Sequence, residues 1–123
     1  MTQKVTIETK NLTGTALDWA VGMVAGASDM NVSEHGSISC KYRLDTYCDA
    51  WAPSSEWEVG GPLIKEMRVA IEPEYEGEWH AKCYGDEEAP ESEAEGRTPL
   101  IAAMRAIVAS IAGATVEVPK AAA

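Results

Sequence analysis

The sequence predicts an α+β fold: a small, mainly antiparallel sheet covered by two long helices, with one further short helix. Two kinds of observation predict it. The stretches 38–44 and 78–84 alternate apolar and polar residues, the period of a half-buried strand. The stretches 13–26 and 98–113 carry helix start and stop residues around an apolar pattern of helical period. The chain has 123 residues, the size of one domain, with no internal repeat and no dividing linker.

In chain order, Val5 and Ile7 alternate with polar neighbours in a first short strand. A turn at 11–14 leads to a helix capped by Thr13 or Thr15 and running to about Gly26, with Thr15 and Asp18 as a capping-box pair. Ala16, Leu17, Ala20, Val21, Met23 and Val24 form its apolar face. Trp19 falls at the edge of that face beside Gly22 and Gly26, where another chain segment or a ligand has room to approach. Residues 27–36 read as a polar loop, 38–44 as a strand and 45–57 as an ordered loop. Gly60-Gly61-Pro62 then introduces a short helix from Leu63 to about Met67, with Pro62 suited to its first position.

Two strands follow, at 68–71 and 78–84, joined through Pro73 and Gly77. Trp79, Ala81 and Cys83 take one face of the second, His80 and Lys82 the other. Residues 86–96 read as a flexible acidic loop holding Asp86, Glu87, Glu88, Glu91, Glu93 and Glu95. Thr98 caps the clearest helix, with Pro99 at its first position and Gly113 as its stop. That helix is apolar or small all round except for Arg105, so it is expected to be buried on more than one side, between a sheet and another helix or at a subunit interface. Val116 and Val118 suggest a closing strand, and the alanine tail beyond Pro119 is expected to fray.

Net charge is −10, from 20 acids and 10 bases. That balance repels nucleic-acid phosphates and anionic membrane surfaces, so neither is an expected partner. No stretch approaches the roughly 18 apolar residues of a membrane span, and no secretory leader is expected, because the stretch MTQKVTIETK has no long apolar run. Three cysteines, an odd number, point away from a disulfide framework and toward free thiols in a reducing cytoplasm.

The segments TGTALDWAV from Thr13, WAPSSEWEVGGPLI from Trp51 and TPLIAAMRAIVAS from Thr98, followed by VEVP from Val116, together resemble the NinX-like proteins of tailed phages and prophages. The resemblance implies a phage accessory protein in the cytoplasm of the bacterial host. It implies no catalytic residues. The chain departs from the pattern in its acidic loop and in extra sequence between Ala27 and Asp49.

The candidate ligand-binding residues are Trp19, Trp51, Trp57, Gly60, Gly61 and Arg105. Flat indoles can stack on a planar ring, and free N–H groups at a helix start can hold an anion. The plain alternative is a loop pinned by two tryptophans with glycines making the turn. Arg105, the sole charge on a buried helix, requires a carboxylate, backbone carbonyls or an anionic ligand. A structural ion pair is the default, with Asp18, Glu56 or Glu58 as partner. His80 and Cys83 have a metal-like spacing, and Cys40 and Cys48 would complete a set of four, but Cys40 and Cys48 lie further apart than zinc-site cysteine pairs and His80 and Cys83 take opposite faces of their strand, so no metal is expected. No nucleophile, phosphate-loop or dinucleotide motif is present, and no catalytic residue or cofactor is assigned. The sequence thus favours a non-enzymatic binder of a small planar or anionic molecule, monomeric or homodimeric. The alternative is a protein-interaction module working through the acidic loop or an apolar helix surface.

Overall fold

The computed structural model describes residues 3–44, 46–85 and 91–123, and its centre is a helix, α3 (Pro99–Ala112). Local chemistry sets both ends of α3. The Ile101 N–H donates to Thr98 Oγ1 at 3.1 Å, Pro99 fills the first turn without needing its missing N–H, and Gly113 ends the helix at φ 88°. Leu100, Met104, Ile107 and Val108 are buried together with Ala102, Ala103 and Ala106. One side of α3 meets a sheet made of β5 (Val69–Pro73), β6 (Trp79–Cys83) and β7 (Ser92–Gly96). The other meets α1 (Gly14–Ala25) and α2 (Trp57–Met67). The sequence expectation of burial between a sheet and a helix is borne out.

The expected single sheet is three small antiparallel ones. β1 (Lys4–Glu8) pairs with β8 (Thr115–Pro119), setting Val5 opposite Val118 and Ile7 opposite Val116. β2 (Ser28–Val32), β3 (Ile38–Tyr42) and β4 (Thr46–Cys48) form the second sheet, and β5-β6-β7 the third. Two of these strands fall in segments read as loops. β2 was hidden because its pairing shifts register between Ser28 and Asn31, at a left-handed Asp29 (φ 52°), which breaks the alternation. β4 is three residues long, too short to show a period.

β7 corrects the flexible acidic loop over 92–96. Ser92, Ala94 and Gly96 face α3 while Glu93 and Glu95 are exposed. The inward positions carry only small residues because α3 lies so close: a Cβ on Gly96 would come 2.7 Å from Ala102 N and 2.7 Å from Ile101 Cγ2. An alternation of small residues and glutamates does not register as apolar and polar. Residues 86–90 of that loop lie outside the described residues.

The helices need similar correction. There are three of comparable length, not two long and one short: 12 residues in α1, 11 in α2 and 14 in α3. α2 starts at Trp57 rather than Leu63, so Gly60, Gly61 and Pro62 lie inside it. Glycine and proline disfavour helix interiors on their own, and here packing overrides that preference. Gly60 is buried against the Pro53 carbonyl and Leu100, where a Cβ would come within 2.3 Å and 2.8 Å. In α1, Thr13 is the N-cap but makes no side-chain cap bond. The proposed capping box dissolves into longer-range contacts: Thr15 Oγ1 donates to Gly36 O at 2.8 Å, and Asp18 Oδ1 accepts from Ser54 N at 2.8 Å. Met23, placed on the apolar face, is exposed, while Ala16, Leu17, Ala20 and Val21 are buried as expected. The tail is also tied down. Lys120 N donates to Gln3 O at 2.8 Å, residues Lys120–Ala122 make a 3-10 turn, and Ala122 is buried.

Candidate functional site

Trp51 anchors the middle of the chain to α1. It is 3% exposed. Its indole Nε1 donates to Asp18 O at 2.9 Å, and its backbone N–H donates to Ile38 O at 2.9 Å. Gly22 makes this contact possible, since a Cβ there would meet Met30 Cε at 2.5 Å and Trp51 Nε1 at 3.1 Å. The open space expected beside the α1 glycines is therefore filled at Gly22 by chain segments. Gly26 instead caps α1 in the left-handed region (φ 87°). The Tyr42 ring packs on Trp51 at 4.9 Å between centroids with a 54° tilt.

Asp18 adds a second tie between the same segments through Ser54 N. Burial pushes its carboxyl above the usual carboxylate range, and the hydrogen bonds from Ser54 only partly oppose that. A raised folded-state value means that the folded protein holds this proton more readily than the unfolded chain. The contribution of Asp18 to stability therefore falls as pH rises from the ordinary aspartate range through the raised value, and ionised Asp18 costs stability at neutral pH. Asp18→Asn keeps an oxygen acceptor for Ser54 N without the charge, so it is expected to be neutral or stabilising at pH 7 and to flatten acid-limb stability. Asp18→Ala, which orphans the buried Ser54 N–H, is expected to cost about 1–3 kcal/mol. Urea unfolding of both variants between pH 4 and 7 checks this, and an Asn variant as damaged as the Ala variant contradicts it.

The six candidate residues do not converge. Trp19 is half-buried on α1, one position from the carbonyl that Trp51 engages. Trp57, the first residue of α2, is 56% exposed. Gly60 and Gly61 offer no helix N-terminus, because both lie within α2, so the anion-binding geometry expected of them is absent. Arg105 pairs with none of Asp18, Glu56 or Glu58. Its Nε donates to Leu12 O at 2.8 Å and its Nη1 to Glu95 O at 2.8 Å. Burial draws its guanidinium below ordinary arginine basicity, and Glu78 partly opposes this.

Among the described residues, two separate regions of concave surface include a candidate residue. A hollow of about 280 Å³ is lined by Tyr42, Arg43, Cys48, Trp51, Val59 and Pro62. Arg43 lies 5.1 Å from the Tyr42 ring centre and is ion-paired with Glu66. Of the six candidates, only Trp51 lines it. The second region flanks Arg105. On one side a cleft of about 420 Å³ is bordered by Glu8, Lys10, Glu93 and Ala94 and floored by Arg105 and Ala109. On the other a polar hollow of about 440 Å³ includes Glu78, Gly96 and Arg97. Tyr42 and Arg43 carried no sequence signal beyond strand alternation, whereas Glu93 and Glu95 stood out only as part of the acidic run.

His80 and Cys83 take opposite faces of β6. His80 lies between Glu72 and Glu93, with Nδ1 3.5 Å and Nε2 3.2 Å from their carboxylates, while buried Cys83 directs its Sγ–H to Met67 O at 3.5 Å. Cys40 and Cys48 stand directly opposite each other on β3 and β4 as thiols. Burial, with Cys48 nearby, pushes Cys40 up to about 11, which keeps it protonated at neutral pH. Among the described residues, no three of His, Cys, Asp or Glu are placed to share a metal ion.

Fold and surface together define a small α+β domain with shallow clefts. No helix among the described residues is long and apolar enough to cross a membrane. The chain belongs to the phage NinX family: the family model described as Bacteriophage P22, NinX, matches residues 8–111. That span contains all six candidate residues and runs from the end of β1 almost to the end of α3. No curated protein matches the chain.

Proposed function

We propose that this phage accessory protein is a non-enzymatic interaction module, working in the host cytoplasm, that binds a basic segment of a protein partner. The cleft beside Arg105 carries this reading. It adjoins the exposed face of the β5-β6-β7 sheet, where Glu72, Glu93 and Glu95 project from neighbouring strands. His80 and Lys82 are the basic groups set among them. With a net charge of −10, the chain draws cationic partners and repels nucleic acid. The binding surface of this reading lies on the strand that was expected to be acidic loop.

The small-molecule reading is supported in one place, the hollow at Trp51. There the Tyr42–Trp51 pair and Arg43 could flank a flat anionic ring, without help from Trp57, Gly60, Gly61 or Arg105. Crosslinking in infected cells, followed by mass spectrometry of what co-purifies, separates the two. The protein-partner reading expects a protein retained by the native chain and lost from a Glu72→Gln, Glu93→Gln, Glu95→Gln triple variant. A protein retained equally by the triple variant counts against it. A stoichiometric metabolite that perturbs tryptophan fluorescence, lost on Tyr42→Ala, supports the second reading instead.

A further inference from the structure

The hydrogen-bond ladder of the third sheet shows which backbone groups of β7 lie on its outer edge. Glu74 N bonds Glu78 O at 3.0 Å and Tyr84 N bonds Arg68 O at 3.1 Å. Antiparallel pairs alternate between bonded and non-bonded, so the even-numbered residues of β6 direct their backbone groups to β5. Trp79, Ala81 and Cys83 then direct theirs to β7, where they stand opposite Gly96, Ala94 and Ser92. The N–H and C=O groups of Glu93 and Glu95 therefore point away from the sheet. Arg105 confirms the direction, because its Nη1 reaches Glu95 O from α3. Among the described residues nothing else bonds this edge, which leaves the Glu93 N–H, the Glu93 C=O and the Glu95 N–H open beside the cleft of about 420 Å³.

We propose that the outer edge of β7 is a strand-docking site that accepts a short extended segment of a partner protein bearing lysine or arginine at alternate positions. The proposal rests on the interaction-module reading and specifies its mode and partner. One partner residue would exchange both backbone bonds with Glu93, and the residue two positions along would accept from the Glu95 N–H. Arg105 already occupies Glu95 O and so limits the added strand at that end. Side chains of those two partner residues fall on the outer face beside Glu93 and Glu95, where opposite charge is favourable. The residue between them turns toward Ala94, Ala109 and the Arg105 stem, which leave room for a small apolar side chain. A second copy of this chain is a poor occupant, because pairing β7 with itself sets glutamates against glutamates.

Titration of the full-length chain with a five-residue capped peptide alternating lysine and valine, followed by NMR, tests the proposal. Two N-methylated forms of that peptide share its charge and side chains. Methylating the lysine nitrogens blocks the edge that would face β7, whereas methylating the valine nitrogens blocks the opposite edge. The expected result is saturable binding with slowed exchange of the Glu93 and Glu95 amides. Binding should be retained within a few-fold by the valine-methylated form and weakened at least about tenfold by the lysine-methylated form. A Glu93→Lys, Glu95→Lys variant should instead prefer a peptide alternating glutamate and valine. No binding of the lysine–valine peptide, equal binding of both methylated forms, or shifts confined to residues away from β7 would overturn the edge site. If such a result comes with a protein partner lost from the triple glutamine variant in cells, only the docking mode fails and the acidic-face reading stands.

Discussion

Replacing Trp51 with alanine is expected to destabilise the protein by about 3–5 kcal/mol, the cost of deleting a buried large aromatic. The indole is 3% exposed, and it joins three parts of the chain. Its ring packs on Tyr42 of β3, its Nε1 reaches the Asp18 carbonyl of α1, and the space beside Gly22 is shaped to receive it. Trp51→Phe keeps most of the apolar surface and removes only the N–H donor, so it should cost less, about 1 kcal/mol for the hydrogen bond plus a smaller packing loss. Trp57→Ala serves as the comparison. That side chain is 56% exposed at the start of α2, and its loss should cost under about 1 kcal/mol. Urea unfolding of the three variants measures the order. Equal costs at positions 51 and 57 would show that Trp51 is not the anchor described here.

Gly60→Ala is expected to destabilise α2, whereas Gly61→Ala, one residue further on, is expected to stabilise it. In a solvated helix interior, glycine to alanine gains about 1 kcal/mol because alanine loses less backbone entropy. Gly61 meets that condition: the nearest heavy atom to a Cβ built there is Trp57 Cε3 at 4.0 Å. At Gly60 the same Cβ would sit 2.3 Å from Pro53 O, a backbone atom, and 2.8 Å from the Leu100 side chain. Leu100 has rotamers to change, but the Pro53 carbonyl moves only with its turn. Bonds from Ser55 N and Glu56 N to Ala52 O hold that turn, at 3.1 Å and 2.8 Å. Overpacking of this kind costs about 1–3 kcal/mol and sometimes more. Thermal melts of the two variants should therefore move in opposite directions. A stabilised Gly60→Ala would mean that α2 and the 52–56 turn separate easily.

The same contrast separates what could be read from sequence from what could not. The α3 helix was legible to the residue because its signals are local. Thr98 bonds Ile101 within one turn, Pro99 needs no partner, and Gly113 takes a backbone conformation open to glycine. β6 was legible because Trp79, Ala81 and Cys83 differ in polarity from His80 and Lys82. β7 obeys the same period of two but shows no such contrast, since its inward residues are serine, alanine and glycine. Their small size reflects the nearness of α3, and that distance has no local record in the chain.

The candidate site divides along the same line. Residue type announced that Arg105 needed partners, since a buried guanidinium does, and marked Trp51 only as a flat ring that would stack on a ligand or pin a loop. Which partners they found depended on where distant segments came to rest: the Asp18 carbonyl for Trp51, and the Leu12 and Glu95 carbonyls for Arg105. Gly60 and Gly61 show the reverse error, a turn signal overruled when close packing at Gly60 rewarded the absence of a side chain inside a helix. By itself the sequence determined the α+β class, the elements with local caps or strong alternation, the acidic balance and the family, because each rests on local residue patterns, on the order of such patterns along the chain, or on composition. The tertiary structure alone decided the division into three sheets, the partners of the buried polar groups and the open edge of β7, because those depend on distances between segments far apart in the chain.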